Sequence, residues 1–129
     1  MTEKVVVRSD EAPGPFQGAP YNQAIRVGDL VFVAGQLGIS LEAGALVGPS
    51  VEEQTEQIMR NLGAILEAAG SSLDKLVKTT VFLMDLTDFA AMNEVYARYV
   101  GEQPPARSTV GISGLPSGAL VEIEAVAHV

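Results

Sequence analysis

The sequence predicts an α+β domain with one β-sheet and two helices packed on one of its faces. Two segments with apolar residues at helical spacing are separated by an apolar, β-branched segment typical of a buried strand. The predicted order is β-β-β-α-β-α-β-β, in which helices are mixed among strands and do not alternate strictly with them. Because 129 residues is a usual domain length, we expect a single domain over residues 1–129.

The first elements are a proline-rich loop and a hairpin. Residues 12–20 contain three prolines and two glycines, which indicates a loop. A hairpin is predicted after it, with strands at 24–27 and 30–33 and a Gly28-Asp29 turn. The second strand ends at residues 34–36, where Gly35 permits close approach of a ligand or of another backbone.

The first helix has the clearest signals. Ser50 followed by Glu53 fits a capping box, and Gly70 is a natural stop. Its predicted core face consists of Ile58, Leu62, Ile65, Leu66 and Ala69.

A buried strand is predicted at 76–84, and a second helix at about 89–100. Thr87 or Asp88 is expected to cap that helix, because both side chains can accept a hydrogen bond from the first turn. Its apolar residues Phe89, Met92, Tyr96 and Tyr99 recur at helical spacing.

Two closing strands are predicted at 107–112 and at about 119–127. In the second, Val121, Ile123 and Ala125 point to one face, which places Glu122 and Glu124 on the other. Two carboxylates on one strand face indicate a surface that is partly wet or covered by another subunit. We therefore expect an oligomer.

Composition excludes several kinds of chemistry. Cysteine is absent, which removes thiolate metal sites and cysteine nucleophiles, and the single histidine, His128, is next to last. A metal site or a Ser-His-Asp triad is therefore not expected. Catalysis would depend on carboxylates, arginine, tyrosine, hydroxyls and backbone amides.

Charge and hydropathy bear on partners. The net charge is −8 and the eight basic residues are scattered, which argues against nucleic-acid binding and against docking on anionic membranes. No tract is apolar for the ~18 residues that a membrane span requires. The first seven residues lack the apolar run of a secretory signal, so a cytoplasmic location is expected.

Arg107 and Glu122 are the main candidates for binding or catalytic residues. Two prolines precede Arg107 and stiffen the chain there, and a planar guanidinium can bind a carboxylate through two hydrogen bonds. Glu122 could orient or deprotonate a water. From these residues alone, a surface arginine and an outward-facing strand carboxylate are the simpler interpretation. A third possibility is that Arg107 pairs with Glu122 or Glu124 and serves assembly only.

Motifs along almost the whole chain resemble one family. They are APYNQA at 19–24, GDLVFVAGQ at 28–36, EQT at 53–55, NL at 61–62, VKTTVFL at 77–83, DF at 88–89, NEVY at 93–96, PARS at 105–108, LP at 115–116 and VEIEA at 121–125. Each motif is weak alone, but in this order they are specific. The chain resembles the RidA/YjgF family of reactive-intermediate deaminases.

The resemblance implies a chorismate-mutase-like fold, assembled as a homotrimer with ligand clefts between subunits. It also implies cofactor-independent hydrolysis of 2-imino acids or their enamine tautomers, such as 2-iminobutanoate and 2-iminopropanoate, to 2-oxo acids and ammonia. An iminium carbon is already electrophilic, so this reaction requires no metal and no covalent nucleophile.

The resemblance also implies roles for single residues. Arg107 would bind the substrate carboxylate, assisted by backbone amides near Gly35 and Thr109, and Glu122 would hold the attacking water and transfer its proton. The cleft would further be lined by Tyr21, Phe89 and Asn93. The sequence leaves open which subunit supplies each residue.

Three positions depart from the usual family pattern: Asn22 and Ala34 each replace a common serine, and Thr109 replaces a common cysteine. The Ala34 change could alter polar contacts to the substrate. Asn22 and Ala34 therefore leave an alternative, a non-catalytic or differently selective protein that binds small carboxylates such as 2-oxo acids. An endoribonuclease or translation inhibitor is a further alternative, which the net charge of −8 disfavours.

Overall fold

A computed structural model describes residues 3–129. The α+β class predicted from the sequence is confirmed, with two helices packed on one mixed sheet. The elements are β1 (Lys4–Val7), β2 (Ala24–Val27), β3 (Leu30–Leu37), β4 (Ile39–Ser40), β5 (Ala45–Leu46), α1 (Val51–Ala68), β6 (Leu76–Leu83), α2 (Phe89–Val100), β7 (Ala106–Gly111) and β8 (Val121–His128).

Six of these strands form the main sheet in the order β1-β2-β3-β8-β6-β7. The pair β6–β7 is parallel, and every other neighbouring pair is antiparallel. Parallel neighbours need a crossover connection, which α2 supplies between β6 and β7. This arrangement leaves β7 at one edge of the sheet.

One face of the sheet carries the core. The alternate residues of β3, β6 and β8 that point to this face are almost completely buried under the two helices. From the sheet they include Val31, Val33, Val81, Leu83, Val121, Ile123, Ala125 and Ala127, and from the helices Ile58, Met59, Leu62, Ile65, Leu66 and Met92. All five residues of the predicted core face of α1 are buried, which confirms that prediction.

Both ends of α1 follow the sequence signals. The Ser50 Oγ accepts a hydrogen bond from the Glu53 backbone N–H at 3.1 Å and donates one to the Glu53 carboxylate at 2.9 Å. The capping box is thus confirmed, although here the hydroxyl itself is the donor to the carboxylate. The helix ends at Ala68, and Gly70 takes a φ of 83°, which is costly for any residue with a Cβ.

The range predicted for α2 is confirmed, but its capping is not as expected. Asp88 occupies the N-cap position and its side chain makes no capping hydrogen bond. Asp85 instead accepts hydrogen bonds from the backbone N–H and hydroxyl of Thr87, at 2.9 and 2.7 Å, in the short turn before the helix. Phe89 is 44% exposed, whereas Tyr96 packs in the core.

Three features of the loops and strand ends were not predicted. Strand β3 runs on to Leu37 through a register shift against β8 between Val33 and Gln36. Strands β4 and β5 form a separate small hairpin. The last strand begins at Val121, since residues 116–118 form a short 3-10 turn.

The second face of the sheet has no layer over it within the described chain. Val6, Leu30, Phe32 and Val110 are 42–45% exposed on this face, beside Glu122 and Glu124. In residues 3–129, no helix is long and apolar enough to cross a membrane.

Substitution of Ser50 by Ala is expected to destabilise the protein by about 1 kcal/mol, because the Glu53 N–H loses its acceptor. The measurement is urea unfolding followed by circular dichroism. Ser72→Ala is the matched control, since Ser72 occupies an N-cap position without a side-chain capping bond. Equal stability losses in the two variants would contradict the capping argument.

Candidate functional site

Arg107 lies on the helix-covered face of the sheet, at the edge strand β7. Its Cα partner on β6 is Thr79, which is fully buried under α2, and partners in a sheet share a face. The Arg107 Cζ is 4.9 Å from the centroid of the Tyr96 ring and 5.5 Å from that of Phe89. The guanidinium is thus held by two aromatic rings of α2.

No carboxylate neutralises this guanidinium within residues 3–129. The ion pairs in that part of the chain join Arg60 to Glu56 and Arg98 to Glu94, each within one helix. The pairing of Arg107 with Glu122 or Glu124, considered from the sequence, does not form inside one chain. The hydrogen-bonding fork of Arg107 therefore remains available to an external anion.

Two unsatisfied polar atoms lie on the elements that hold Arg107. The Asn93 Oδ1, one helical turn from Phe89, and the Thr109 Oγ1, two residues beyond Arg107, are buried without a hydrogen-bond partner. Leaving such atoms unpaired is costly, so their presence favours a ligand that supplies partners. Because β7 is an edge strand, part of its backbone N–H groups also point away from β6.

Glu122 lies on the other face of the sheet. Its Cα partner is Phe82 on β6, and its neighbours Val121 and Ile123 point into the core. Gly35 lies against it: a Cβ at Gly35 would come within 2.8 Å of the Glu122 carboxyl carbon and one carboxylate oxygen. The register shift in β3 leaves Gly35 without a paired residue on β8.

A cavity of about 410 Å³ opens in front of this carboxylate. Tyr21, Gly35 and Glu122, all predicted from the sequence, contribute to its lining. The remaining wall is largely apolar and includes Pro13, Phe16, Leu37, Ile39 and Pro116. Pockets of this type are common small-molecule sites, with few polar groups set in an apolar wall.

Burial raises the pKa of Glu122, and the like charge of Glu124 on the same face raises it further. Desolvation is the larger cause, because the carboxylate sits partly inside the cavity mouth. Glu122 can therefore carry a proton closer to neutral pH than an exposed glutamate.

The loop that forms one cavity wall is fixed by two polar side chains, and sequence analysis missed the role of one of them, Gln23. Gln23, 4% exposed, donates hydrogen bonds to the carbonyls of Ser9, Ala12 and Pro13 at 2.9–3.1 Å. The Tyr21 hydroxyl accepts a hydrogen bond from the Phe16 N–H at 2.6 Å. The available signal was an amide side chain placed between a proline-rich loop and an apolar strand.

The structure thus brings the predicted residues together as two groups. Arg107, Phe89, Asn93 and Thr109 form the arginine group, on β7 and α2. Tyr21, Gly35 and Glu122 form the glutamate group, around the cavity. Since Arg107 and Glu122 lie on opposite faces of the sheet, one chain does not place them in a common site.

Comparison with known proteins gives a consistent picture. The family model described as Endoribonuclease L-PSP matches residues 11–129. A RutC family protein of Pyrococcus abyssi is 50% identical over 125 residues, which cover 97% of each chain. The human 2-iminobutanoate/2-iminopropanoate deaminase is 41% identical over 122 residues, which cover 95% of this chain and 88% of that protein.

Among solved structures, that of E. coli TdcF with bound serine superimposes with a TM-score of 0.91 at 36% identity. The match covers 97% of this chain and 98% of that one. The fold is therefore shared over nearly the entire length.

The raised pKa of Glu122 predicts a specific pH dependence of stability. A carboxyl whose pKa is higher in the folded than in the unfolded protein contributes stability below the unfolded value, ordinarily near 4.5, and that contribution is lost as pH rises through the folded value. We therefore expect Glu122→Gln to become more stable relative to wild type as the pH rises from about 4 to about 7. Denaturant unfolding at fixed protein concentration measures this difference.

Glu102→Gln is the control, because Glu102 is exposed in the loop after α2, away from the cavity. The stability difference from wild type should change more with pH for Glu122→Gln than for this control. If the stability difference between Glu122→Gln and wild type does not change with pH, the Glu122 carboxyl is solvated as in the unfolded chain.

Proposed function

The chain belongs to the RidA/YjgF family, and from that premise we propose that it is a hydrolytic deaminase of 2-imino acids such as 2-iminobutanoate and 2-iminopropanoate. The products are the 2-oxo acid and ammonia. The observation that carries the proposal is Arg107, a guanidinium held by two aromatic rings with no carboxylate partner in residues 3–129. The human relative named as a deaminase for these two substrates supports it.

Arg107 binds the substrate carboxylate through two parallel hydrogen bonds. Such charge-assisted bonds are roughly twice as strong as neutral ones, and the two rings keep the guanidinium oriented. The Asn93 Oδ1 accepts a hydrogen bond from the substrate nitrogen, and the Thr109 hydroxyl donates one to the substrate carboxylate. The serine bound to TdcF, an amino acid with a carboxylate, supports a ligand of this type.

Glu122 acts as general base and then as general acid in the reaction. Its carboxylate accepts a proton from a water whose oxygen attacks the imine carbon, while the C=N π electrons move to nitrogen. Glu122 then returns that proton to the carbinolamine nitrogen, which already carries two hydrogens from the iminium form of the substrate. The C–N bond breaks with its electron pair going to nitrogen, and ammonia leaves. The carbinol oxygen gives its proton to the Glu122 carboxylate as the C=O bond of the 2-oxo acid forms. The raised pKa suits both steps, since a catalyst titrating near the working pH exchanges protons most effectively.

No cofactor is required by this chemistry, because the iminium carbon is electrophilic without activation. Holding the substrate and the water in a reactive orientation raises the reaction rate, and proton transfer by Glu122 raises it by a further factor of about 10²–10⁴. Gly35 has a steric role, since any side chain there would displace the Glu122 carboxyl.

We further propose that the protein is a homotrimer with each site between two neighbouring subunits. The arginine group and the glutamate group lie on opposite faces of one sheet, so a complete site combines the arginine group of one copy with the cavity of the next. Repeating this head-to-tail contact around a three-fold axis closes a ring. The exposed apolar side chains of the uncovered sheet face supply a surface for such assembly.

The alternative of a small-carboxylate binding protein without turnover rests on one observation, that Ala34 lines the cavity where a serine is usual in the family. In this alternative the arginine group binds the carboxylate as in the proposed enzyme, but the glutamate group does not catalyse hydrolysis. Binding and turnover must therefore be measured separately. The net charge of −8 does not favour RNA as a partner.

Arg107→Ala is expected to lower kcat/KM for 2-iminobutanoate by a factor of about 10² or more, because two charge-assisted hydrogen bonds are lost. Arg107→Lys should recover only part of the activity, since an ammonium cannot form the bidentate contact. The imine is generated by an amino-acid oxidase or a dehydratase, and release of the 2-oxo acid is followed. Arg98→Ala, an exposed position on α2 paired with Glu94, is the matched control.

Three outcomes separate the functions. Acceleration by wild type that is lost in Arg107→Ala supports the deaminase. Stabilisation by 2-oxobutanoate in a thermal-shift titration, without any acceleration, would establish the binding protein instead. Cleavage of RNA by the pure protein at physiological salt would establish the ribonuclease.

A shared site predicts complementation between two inactive variants. In a mixed trimer of Arg107→Ala and Glu122→Gln chains, one interface combines an intact Arg107 with an intact Glu122. After unfolding and refolding of an equal mixture, about a quarter of the wild-type activity is expected, since most trimers are mixed and each carries one intact site. The two variants refolded separately are the controls. If the mixture stays as inactive as they do, the site is not shared between subunits.

A further inference from the structure

A buried pair of hydroxyls lies directly behind Arg107. The Tyr96 hydroxyl and the Thr79 Oγ1 are 2.7 Å apart, and the two residues are 5% and 0% exposed. The pair is surrounded by the apolar core of β6 and α2. An unpaired hydroxyl at this depth would be costly, so each of the two requires the other.

These residues and Arg107 form a closed arrangement across three elements. Thr79 on β6 is the Cα partner of Arg107 on β7, and Tyr96 on α2 reaches down to Thr79 while its ring lies 4.9 Å from the Arg107 Cζ. The hydrogen bond fixes the Tyr96 ring relative to the strand pair that carries Arg107. Phe89, on the outer side, is 5.5 Å away and 44% exposed, so it lacks a comparable anchor.

We propose that Tyr96, anchored by Thr79, is a positioning residue that sets the orientation of the Arg107 guanidinium for carboxylate binding. This inference rests on the proposed function in one respect, namely that Arg107 binds a carboxylate. Tyr96 itself does not touch the substrate. It acts through the face of its ring, which attracts the cation and restricts its rotamers.

The chemistry of a phenol suits this role better than that of a carboxylate. An acidic side chain at this place would form an ion pair with Arg107 and occupy the hydrogen-bonding fork. Burial raises the pKa of Tyr96, against the opposing effects of Thr79 and Arg107, so the phenol stays neutral under physiological conditions. A neutral ring orients the guanidinium and leaves its positive charge for the substrate.

The kinetic test uses variants that remove one feature at a time. Tyr96→Phe keeps the ring and removes the hydroxyl, and Thr79→Val removes the other partner. Each is expected to raise KM about 3- to 10-fold with kcat nearly unchanged, because the carboxylate contact is made in both ground and transition states. The double variant should resemble either single one, since both delete the same hydrogen bond. Tyr96→Leu, which removes the ring, should raise KM further.

Two controls separate positioning from general damage. Tyr99→Phe deletes a hydroxyl of the same helix that donates to Glu56, away from Arg107, and should leave KM unchanged. Thr79→Ser retains the hydroxyl and should restore KM relative to Thr79→Val. This Val and Ser comparison also decides the question if Tyr96→Phe does not fold.

A readout without turnover distinguishes failure of this inference from failure of the proposed function. The titration of Tyr96 is followed by NMR of labelled tyrosine, in wild type and in Arg107→Ala. Because the cation favours the tyrosinate, its removal is expected to raise the pKa of Tyr96 further. Binding of 2-oxobutanoate, measured by calorimetry, should weaken in Tyr96→Phe by the same factor as KM rises.

The outcomes are distinct. If Tyr96→Phe and Thr79→Val leave both KM and 2-oxobutanoate affinity at wild-type values, the positioning role is wrong. An unchanged Tyr96 titration in Arg107→Ala would also overturn it. If wild type neither hydrolyses imines nor binds 2-oxobutanoate while the Tyr96 titration responds to Arg107→Ala, the contact exists and the proposed function fails.

Discussion

The alternation of side chains across a β-sheet is the constraint on which the rest of this protein depends. Residues in register on neighbouring strands share a face. The side chains of Arg107, Thr79 and Ala125, which are in register, therefore point toward the helices, and that of Glu122 points to the opposite face. The sheet therefore separates a cation with free hydrogen-bonding capacity from a carboxylate in an apolar cavity. This separation prevents them from neutralising one another inside one chain.

The environments of the two groups are built by different means. Arg107 is stabilised by ring faces, which compensate part of its desolvation without occupying its donors with a carboxylate. In the described part of the chain, the desolvation of the Glu122 carboxylate is not offset by an opposite charge. This carboxylate is partly buried and lies near the like charge of Glu124, so its pKa is raised. An ion pair at either place would occupy the charged group. Neither group has one within residues 3–129, and charged groups in such environments are concentrated at functional sites.

Prediction from the sequence was reliable where the signal is local. The Ser50 cap, the Gly28-Asp29 turn and the range of α2 each depend on residues within one turn of each other, and the structure contains all three. Prediction failed where two distant segments determine the outcome. The register shift at Gly35 depends on β8, almost 90 residues away, and the role of Gln23 depends on where the loop of Ser9 to Pro13 returns. The order of the six strands is likewise set by long-range pairing.

The sequence by itself determined the class of fold and the family, and it supplied the candidate site residues, because periodicity, turn chemistry and ordered motifs are properties of the chain alone. Only the tertiary structure decided that Arg107 and Glu122 lie on opposite faces of the sheet, that burial raises the pKa of Glu122, and that Tyr96 and Thr79 lie beside the guanidinium. The physical reason is that burial, charge proximity and shared faces arise between residues that are remote along the chain. They exist only after strands from both ends of the molecule have paired.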